Sequence, residues 1–255
     1  MRILLTNDDG YHAPGLQVLE RIARALSDDI WVVAPSQEQS GTSRSLTLTR
    51  PLRVRRFEDQ RWAVAGTPTD AVMFALGEVM RDCRPDLILS GVNRGGNLGE
   101  DVHYSGTVSA AMEGALAGIR SIALSQRYAA RAPGDNVSFA TAEAWGERVL
   151  APLLAEPFDT GTLVNVNFPP VEPDQVAGIR VVPQGLREYG RVRMDRRTDP
   201  RGFDYYWLAL GRVEHVPGSG TDLEAIEHGL VTVTPLQLDL THRASLERLA
   251  RAYDV

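Results

Sequence analysis

Ile3-Leu4-Leu5-Thr6-Asn7-Asp8-Asp9-Gly10 is the stretch on which the architecture of this chain turns. The apolar run Ile3-Leu4-Leu5 is short and bounded by turn-formers, the pattern of a buried strand. Open α/β sheets hold their ligands beyond the carboxyl ends of the strands, which is where Asp8 and Asp9 emerge. Two neighbouring carboxylates repel one another, and a divalent cation between them removes the repulsion; hard oxygen donors suit Mg²⁺, Mn²⁺ or Ca²⁺. Asp and Gly also make ordinary polar turns, so it is the position at a strand end that favours a ligand role.

Downstream, Leu16, Leu19, Ile22, Ala23 and Leu26 recur at helical spacing, and Ile30-Trp31-Val32-Val33-Ala34 predicts a second strand. A right-handed crossover between two parallel strands sends both ends to one edge of the sheet, so the polar loop 37–45 belongs at that edge too. Residues 46–64 predict short antiparallel excursions. Gly66-Thr67-Pro68-Thr69-Asp70 reads as a helix entry, with Thr67 or Thr69 as the cap, ahead of Val72, Met73, Leu76 and Met80. A buried strand over 86–90 leads into a loop, 91–106, that holds five glycines in sixteen residues. Ser105-Gly106-Thr107-Val108 then opens a helix of small residues, Ala110, Ala111, Gly114, Ala115 and Gly118. Strands over 121–125 and 163–167 enclose a helix over 139–154.

This alternation predicts an α/β fold: a three-layer, doubly wound, mostly parallel sheet with helices on both faces. Residues 1–180 form the core that carries the metal and phosphate site. Residues 181–255 form a C-terminal extension of the same domain. An arm or hairpin is expected within 176–210, followed by a short helix over 221–228, a strand over 230–234 and a terminal helix over 243–253. That last helix carries Leu246, Leu249, Ala250 and Tyr253 on one stripe.

Composition narrows the function. The 255 residues are 43% hydrophobic and 24% charged, ordinary for a globular domain. A net charge of −6 offers no global attraction for nucleic acid or an anionic membrane, so neither is expected as a partner, and a phosphate-bearing ligand must be captured locally. Cys83 is the only cysteine, which excludes an intrachain disulfide and a multi-cysteine metal cluster. The apolar start is broken too early for a signal peptide, and no run reaches transmembrane length, so a cytoplasmic protein is expected.

Three loops, 7–10, 36–45 and 91–106, should meet at one sheet edge and offer oxygen donors there. On its own Ser40, beside Gly41, reads first as a turn residue, and Asn93 and Asn97 read equally as makers of loop-internal hydrogen bonds. At the start of a helix, Ser105-Gly106-Thr107 offers free amides and a favourable dipole to an anion such as phosphate. No Walker A loop, Gly-x-Gly-x-x-Gly fingerprint or Gly-x-Ser-x-Gly elbow occurs, and the five histidines lack metal-ligand spacing. His12 and His103 fall within or beside the site loops. The arginines at 187, 191, 193, 196, 197 and 201 read as a solvated hairpin face.

The chain resembles the SurE family, the survival-protein nucleotidases. The likeness runs through residues 2–10, Val33-Ala34-Pro35 with Ser40-Gly41, Ser45-Leu46-Thr47, Gly66-Thr67-Pro68-Thr69-Asp70, Ser90-Gly91-Val92-Asn93 with Gly95 and Asn97-Leu98-Gly99, Tyr104-Ser105-Gly106-Thr107-Val108 and Val231-Thr232-Val233-Thr234-Pro235-Leu236. The resemblance implies a metal-dependent phosphomonoesterase acting on nucleoside monophosphates, in some members also on short polyphosphate. It implies one Mg²⁺ or Mn²⁺ per subunit held by Asp8, Asp9, Ser40 and Asn93, with Asp8 and Asp9 as the catalytic pair. Asn97, Ser105, Gly106 and Thr107 would line the phosphate pocket, and the chain would assemble as a homodimer or homotetramer. Competing readings are attack by Asp8 or Asp9 on phosphorus, a zinc-dependent deacetylase-like hydrolase, and a sensor that binds nucleotide without hydrolysing it.

Overall fold

The computed structural model describes residues 1–128, 137–187, 192–210 and 218–253, without the side chains of residues 192, 193, 209 and 210. The chain enters through β1 (Ile3–Thr6), all four residues of which are buried. Helix α1 (Pro14–Arg24) starts on a proline, whose fixed φ suits a first turn, and buries Leu16, Val18, Leu19 and Ile22. It leads to β2 (Ile30–Pro35). The excursion expected over 46–64 is a pair, β3 (Val54–Glu58) antiparallel to β4 (Arg61–Val64), while β4 itself runs parallel to β2.

Thr67 is the cap of α2 (Pro68–Phe74): its side chain accepts from the Asp70 amide, and the Asp70 carboxylate accepts from the Thr67 amide. This reciprocal box satisfies two orphan donors at once. Residues 75–79 continue as a π-helical turn that brings Met80 fully into the core. Strand β5 (Leu87–Arg94) runs farther into the glycine loop than its apolar run suggests. Next come α3 (Gly106–Leu116), β6 (Arg120–Gln126), α4 (Ala140–Ala155) and β7 (Thr162–Phe168). The later part holds β8 (Gly178–Val181), β9 (Val192–Thr198), β10 (Asp204–Leu210), α5 (Asp222–Glu227), β11 (Leu230–Gln237) and α6 (Arg243–Ala252).

Nine of these strands form one sheet in the order β3-β4-β2-β1-β5-β6-β7-β11-β8, and β9 and β10 pair antiparallel by themselves. From β4 to β7 every pairing is parallel, and β11 runs antiparallel to β7. Leu5, Val32, Leu89, Leu124 and Val166 pack on the face covered by α1 and α4. Leu4, Val33 and Ile88 pack on the other face with the apolar side chains of α2 and α3. Continuous burial on both faces explains why these strands read as unbroken apolar runs. The fold is therefore the mixed, mostly parallel α/β sheet expected from the alternation of strands and helices. Among the described residues no helix is long and apolar enough to cross a membrane.

Progress along the sheet reverses between β1 and β5: the chain moves one way from β1 to β2 and the other way from β5 to β7. Such a switch point opens a crevice at the carboxyl edge, and the loops after β1 and β5 flank it.

Candidate cation and phosphate site

Asp8 and Asp9 leave β1 at this crevice. Gly10 turns the chain away with φ of +104°, a conformation that L side chains rarely adopt. Asn7 helps close the turn by donating from Nδ2 to Gly10 O at 2.9 Å, while its buried Oδ1 has no hydrogen-bond partner.

Asp8 is only 4% exposed and lies against the start of α3. Thr107 donates its hydroxyl to Asp8 Oδ1 at 2.5 Å, and the Thr107 amide also bonds this carboxylate. Gly106 makes the approach possible: a Cβ there would stand 2.8 Å from Asp8 Cβ and 2.9 Å from Asp8 Oδ2. Burial pushes the Asp8 carboxyl up from 3.8 to about 6, against the pull of Thr107, and the Asp9 charge adds to the rise. Burial also raises the Asp9 carboxyl. The Arg94 amide, which donates to Asp9 Oδ2 at 2.9 Å, and the Arg94 charge oppose that rise, while the Glu38 charge adds to it. Negative charge on both aspartates is thus disfavoured by their surroundings, a situation that a cation between them reverses.

The loop after β2 is clasped to this pair by the Gln39 amide, which donates to Asp8 O at 2.7 Å. Ser40 is exposed at this rim, and its hydroxyl donates to Glu38 Oε1 at 2.9 Å. The same Glu38 oxygen lies 3.4 Å from an Arg94 guanidinium nitrogen. At the end of β5, Asn93 donates Nδ2 to Gly95 O at 2.8 Å, which leaves its carbonyl oxygen as the ligand end of the amide. The structure therefore brings Asp8, Asp9 and Asn93 to the ends of adjacent strands, with Ser40 on the loop latched to Asp8. Among the described residues no three His, Cys, Asp or Glu side chains converge as a metal group. The donors gathered here are two carboxylates, a hydroxyl and an amide oxygen, a hard set that fits Mg²⁺ or Mn²⁺.

The four residues expected to line the phosphate pocket have distinct surroundings. Ser105 caps α3, its hydroxyl accepting from the Val108 amide at 3.0 Å. Gly106 and Thr107 hold the first helical positions, where the peptide amides have no intrahelical acceptor. Asn97 is buried and turned inward: Nδ2 donates to Ser125 Oγ at 2.8 Å, and its backbone carbonyl accepts from Asn165 and Asn167. His12 and His103 are both exposed; His12 meets the Phe57 ring edge-on, and the His103 carbonyl accepts from Ser43.

Sequence reading missed Glu38 and Arg94, whose pairing crosses from the loop after β2 to the end of β5 and leaves no local pattern. It also misplaced Arg187, which is not on a solvated face but bonds Glu100 at 3.1 Å and Asp101 at 2.9 Å in the glycine loop. Arg196 pairs with Asp204 across the β9–β10 hairpin and Arg201 is exposed, as expected; Arg191 and the Arg193 side chain lie outside the described residues.

A mostly parallel sheet with a pair of aspartates set against a helix start at its switch point defines a doubly wound α/β protein. A family model described as "Survival protein SurE" matches residues 3–191, and the chain belongs to that family. It is 67% identical over 253 residues to a Rhizorhabdus wittichii protein named 5'-nucleotidase SurE, covering 99% of this chain and 100% of the relative. An Erythrobacter litoralis protein of the same name is 56% identical over 254 residues, with both chains fully covered. The crystal structure of the SurE protein from Aquifex aeolicus superposes with a TM-score of 0.85 at 38% identity, over 99% of this chain and 100% of the other.

Proposed function

We propose that this chain is a metal-dependent 5′-nucleotidase that hydrolyses nucleoside monophosphates to nucleoside and phosphate. The observation that carries the reading is the seating of Asp8 against the first turn of α3, which joins a cation ligand to an anion-binding helix start. Family membership and the names of the full-length relatives support it.

Asp8, Asp9, Ser40 and Asn93 would hold one Mg²⁺ or Mn²⁺ per subunit. When bound, such a cation neutralises phosphoryl oxygens and acidifies water. Thr107 fixes the rotamer of Asp8 with two hydrogen bonds. Asp9 is oriented by the Arg94 amide, and Asp8 and Asp9 are the catalytic pair. Amides at the start of α3, between Ser105 and Thr107, supply fixed positive dipole to the charge that develops on phosphorus oxygens. Asn97 shapes the floor of this pocket from its inward position. None of these groups reads a base edge, which favours tolerance for several nucleotides.

For assembly, we infer a homodimer or homotetramer formed through the extension 181–255. Leu246, Leu249 and Tyr253 form a stripe on α6 that is 51%, 53% and 77% exposed within the single chain. Membrane and nucleic-acid partners are not part of this reading, and a cytoplasmic location fits the single cysteine. Phosphate release from AMP, measured with Mg²⁺ or Mn²⁺ and again with EDTA, tests the activity. Cation-dependent release supports it; tight AMP binding with no release overturns it in favour of a sensor.

A further inference from the structure

The glycine loop between β5 and α3 carries most of the proposed phosphate pocket, yet little in its own composition holds it in one shape. Strands β6 and β7 hold it at Gly95 and Asn97, and the rest of its fixings to other segments include a set from the far end of the chain. Asp222, the first residue of α5, is fully buried. Its Oδ2 accepts from the Gly99 amide at 2.8 Å and its Oδ1 from the Gly185 amide at 2.7 Å, so one carboxylate ties the site loop to the segment after β8. Gln184 completes the junction by donating Nε2 to Gly99 O at 2.9 Å.

Arg187 grips the next turn. Its amide donates to Glu100 Oε2 at 3.0 Å, one guanidinium nitrogen to Glu100 Oε1 at 3.1 Å and to Leu98 O at 3.2 Å, and the other to Asp101 Oδ2 at 2.9 Å. The consequence reaches the chemistry in two short steps. The Asp101 carbonyl accepts from the amides of Tyr104 and Ser105, each at 3.0 Å, and so delivers Ser105 to its capping place on α3. Two residues on, Thr107 holds Asp8.

We propose that Asp222 and Arg187 are positioning residues for the nucleotidase site: they set the glycine loop and, through Ser105 and Thr107, the orientation of the Asp8 carboxylate. This rests on the functional reading given above. A buried carboxylate that accepts two backbone amides has no substitute in its surroundings, because its loss leaves two donors without acceptors. An amide side chain keeps one acceptor and turns an NH₂ group against a second N–H donor. The guanidinium of Arg187 fits two carboxylates and a carbonyl as a planar fork, which a lysine ammonium reproduces only as a point charge.

The test uses the full chain with Asp222→Asn, Arg187→Gln and Arg187→Lys, each first checked for a cooperative thermal melt. In the folded variants the expected results are a fall in kcat for AMP of about 10–100-fold, with KM moving less than about threefold, and Mn²⁺ affinity weakened by about tenfold. Arg187→Lys should recover part of the kcat lost in Arg187→Gln. Hydrogen exchange at the amides of residues 97–107 should rise by at least about tenfold, while those of β1 stay as they are. A purely structural role would lower the melting temperature and leave kcat per folded molecule and the exchange pattern unchanged, and that result overturns the proposal. If Asp222→Asn does not fold, the two Arg187 variants decide by the same criteria, since that side chain is 21% exposed and its loss does not empty the core. Should the wild-type protein release no phosphate from AMP, the functional reading falls, while Mn²⁺ affinity and exchange still decide whether these residues set the loop.

Discussion

At the carboxyl edge of β1 and β5, polar side chains are buried and tied down, whereas along β10 and α6 large apolar side chains stand in solvent. Asp8 and Thr107 are 4% and 0% exposed and bonded to each other, while Tyr206, Trp207 and Leu249 are 58%, 61% and 53% exposed. Each region inverts the usual arrangement, and for a different reason. A buried charge is retained where a ligand of opposite charge compensates it, and an exposed apolar stripe where another surface covers it. On the function proposed above, a cation completes the first region and another subunit the second.

The sharpest way to break this contrast is at Asp9. Asp9→Asn removes one negative charge from the cation cage and should lower kcat for AMP on the order of 1000-fold, about 4 kcal/mol of transition-state stabilisation. Unchanged turnover together with unchanged Mn²⁺ affinity would show that the buried carboxylates serve the fold alone.

Gly106→Ala comes next. The added Cβ meets Asp8 at 2.8 Å and Pro68 Cγ at 3.0 Å, neither of them the end of a flexible side chain. Displacing Asp8 should cost about 10–100-fold in kcat and about 1–3 kcal/mol in stability, read from steady-state kinetics and urea unfolding. Wild-type kinetics in this variant would mean that α3 and β1 can part without consequence.

A third expectation concerns pH in the cation-free protein. The Asp8 carboxyl sits at about 6 when folded and near 3.9 when unfolded, so between these values the native chain binds more protons. Asp8 should therefore contribute a loss of stability of up to roughly 3 kcal/mol as pH rises from about 4 to about 6. Carboxyls held low by arginines or amide donors, such as Glu20, Asp70 and Glu100, slope the other way, so the Asp8 contribution is read as the difference between wild type and Asp8→Asn in thermal melts with EDTA. A difference that stays flat across the window would contradict the burial of a penalised charge.

The smallest effect on catalysis is expected at the other region. Truncation after Leu240 removes α6 and should shift the mass in light scattering toward monomer, with kcat per subunit changing less than about threefold because α6 lies outside the site. An unchanged mass would mean that the exposed stripe has no partner in the assembly.

Much of the carboxyl edge was legible because its information is local. An apolar run followed by Asp-Asp-Gly, or Ser-Gly-Thr before small residues, specifies a strand end or a helix start within a few positions. What escaped is what long-range pairing decides. Nothing near Asp222 announces that it accepts from Gly99, 123 residues away, and Arg187 looks like any arginine of a basic run until Glu100 and Asp101 are placed beside it. Thr67 and Thr69 are equivalent as caps on paper; the reciprocal bond with Asp70 chooses Thr67. Asn97 reads as a loop residue open to ligand, but Ser125 of β6 takes its side-chain amide inward while the asparagines of β7 bond its backbone.

The place of β11 has a consequence for how the molecule is made. It lies between β7 and β8, although β8 precedes it in the chain by the whole hairpin and α5. During synthesis β8 therefore has no neighbour to bond until β11 has left the ribosome, and one side of β7 waits equally long. Closure over such a separation is slow, and the waiting edges are open to other chains. A nascent polypeptide halted before residue 230 should bind holdase chaperones strongly, and one released beyond residue 237 should let them go.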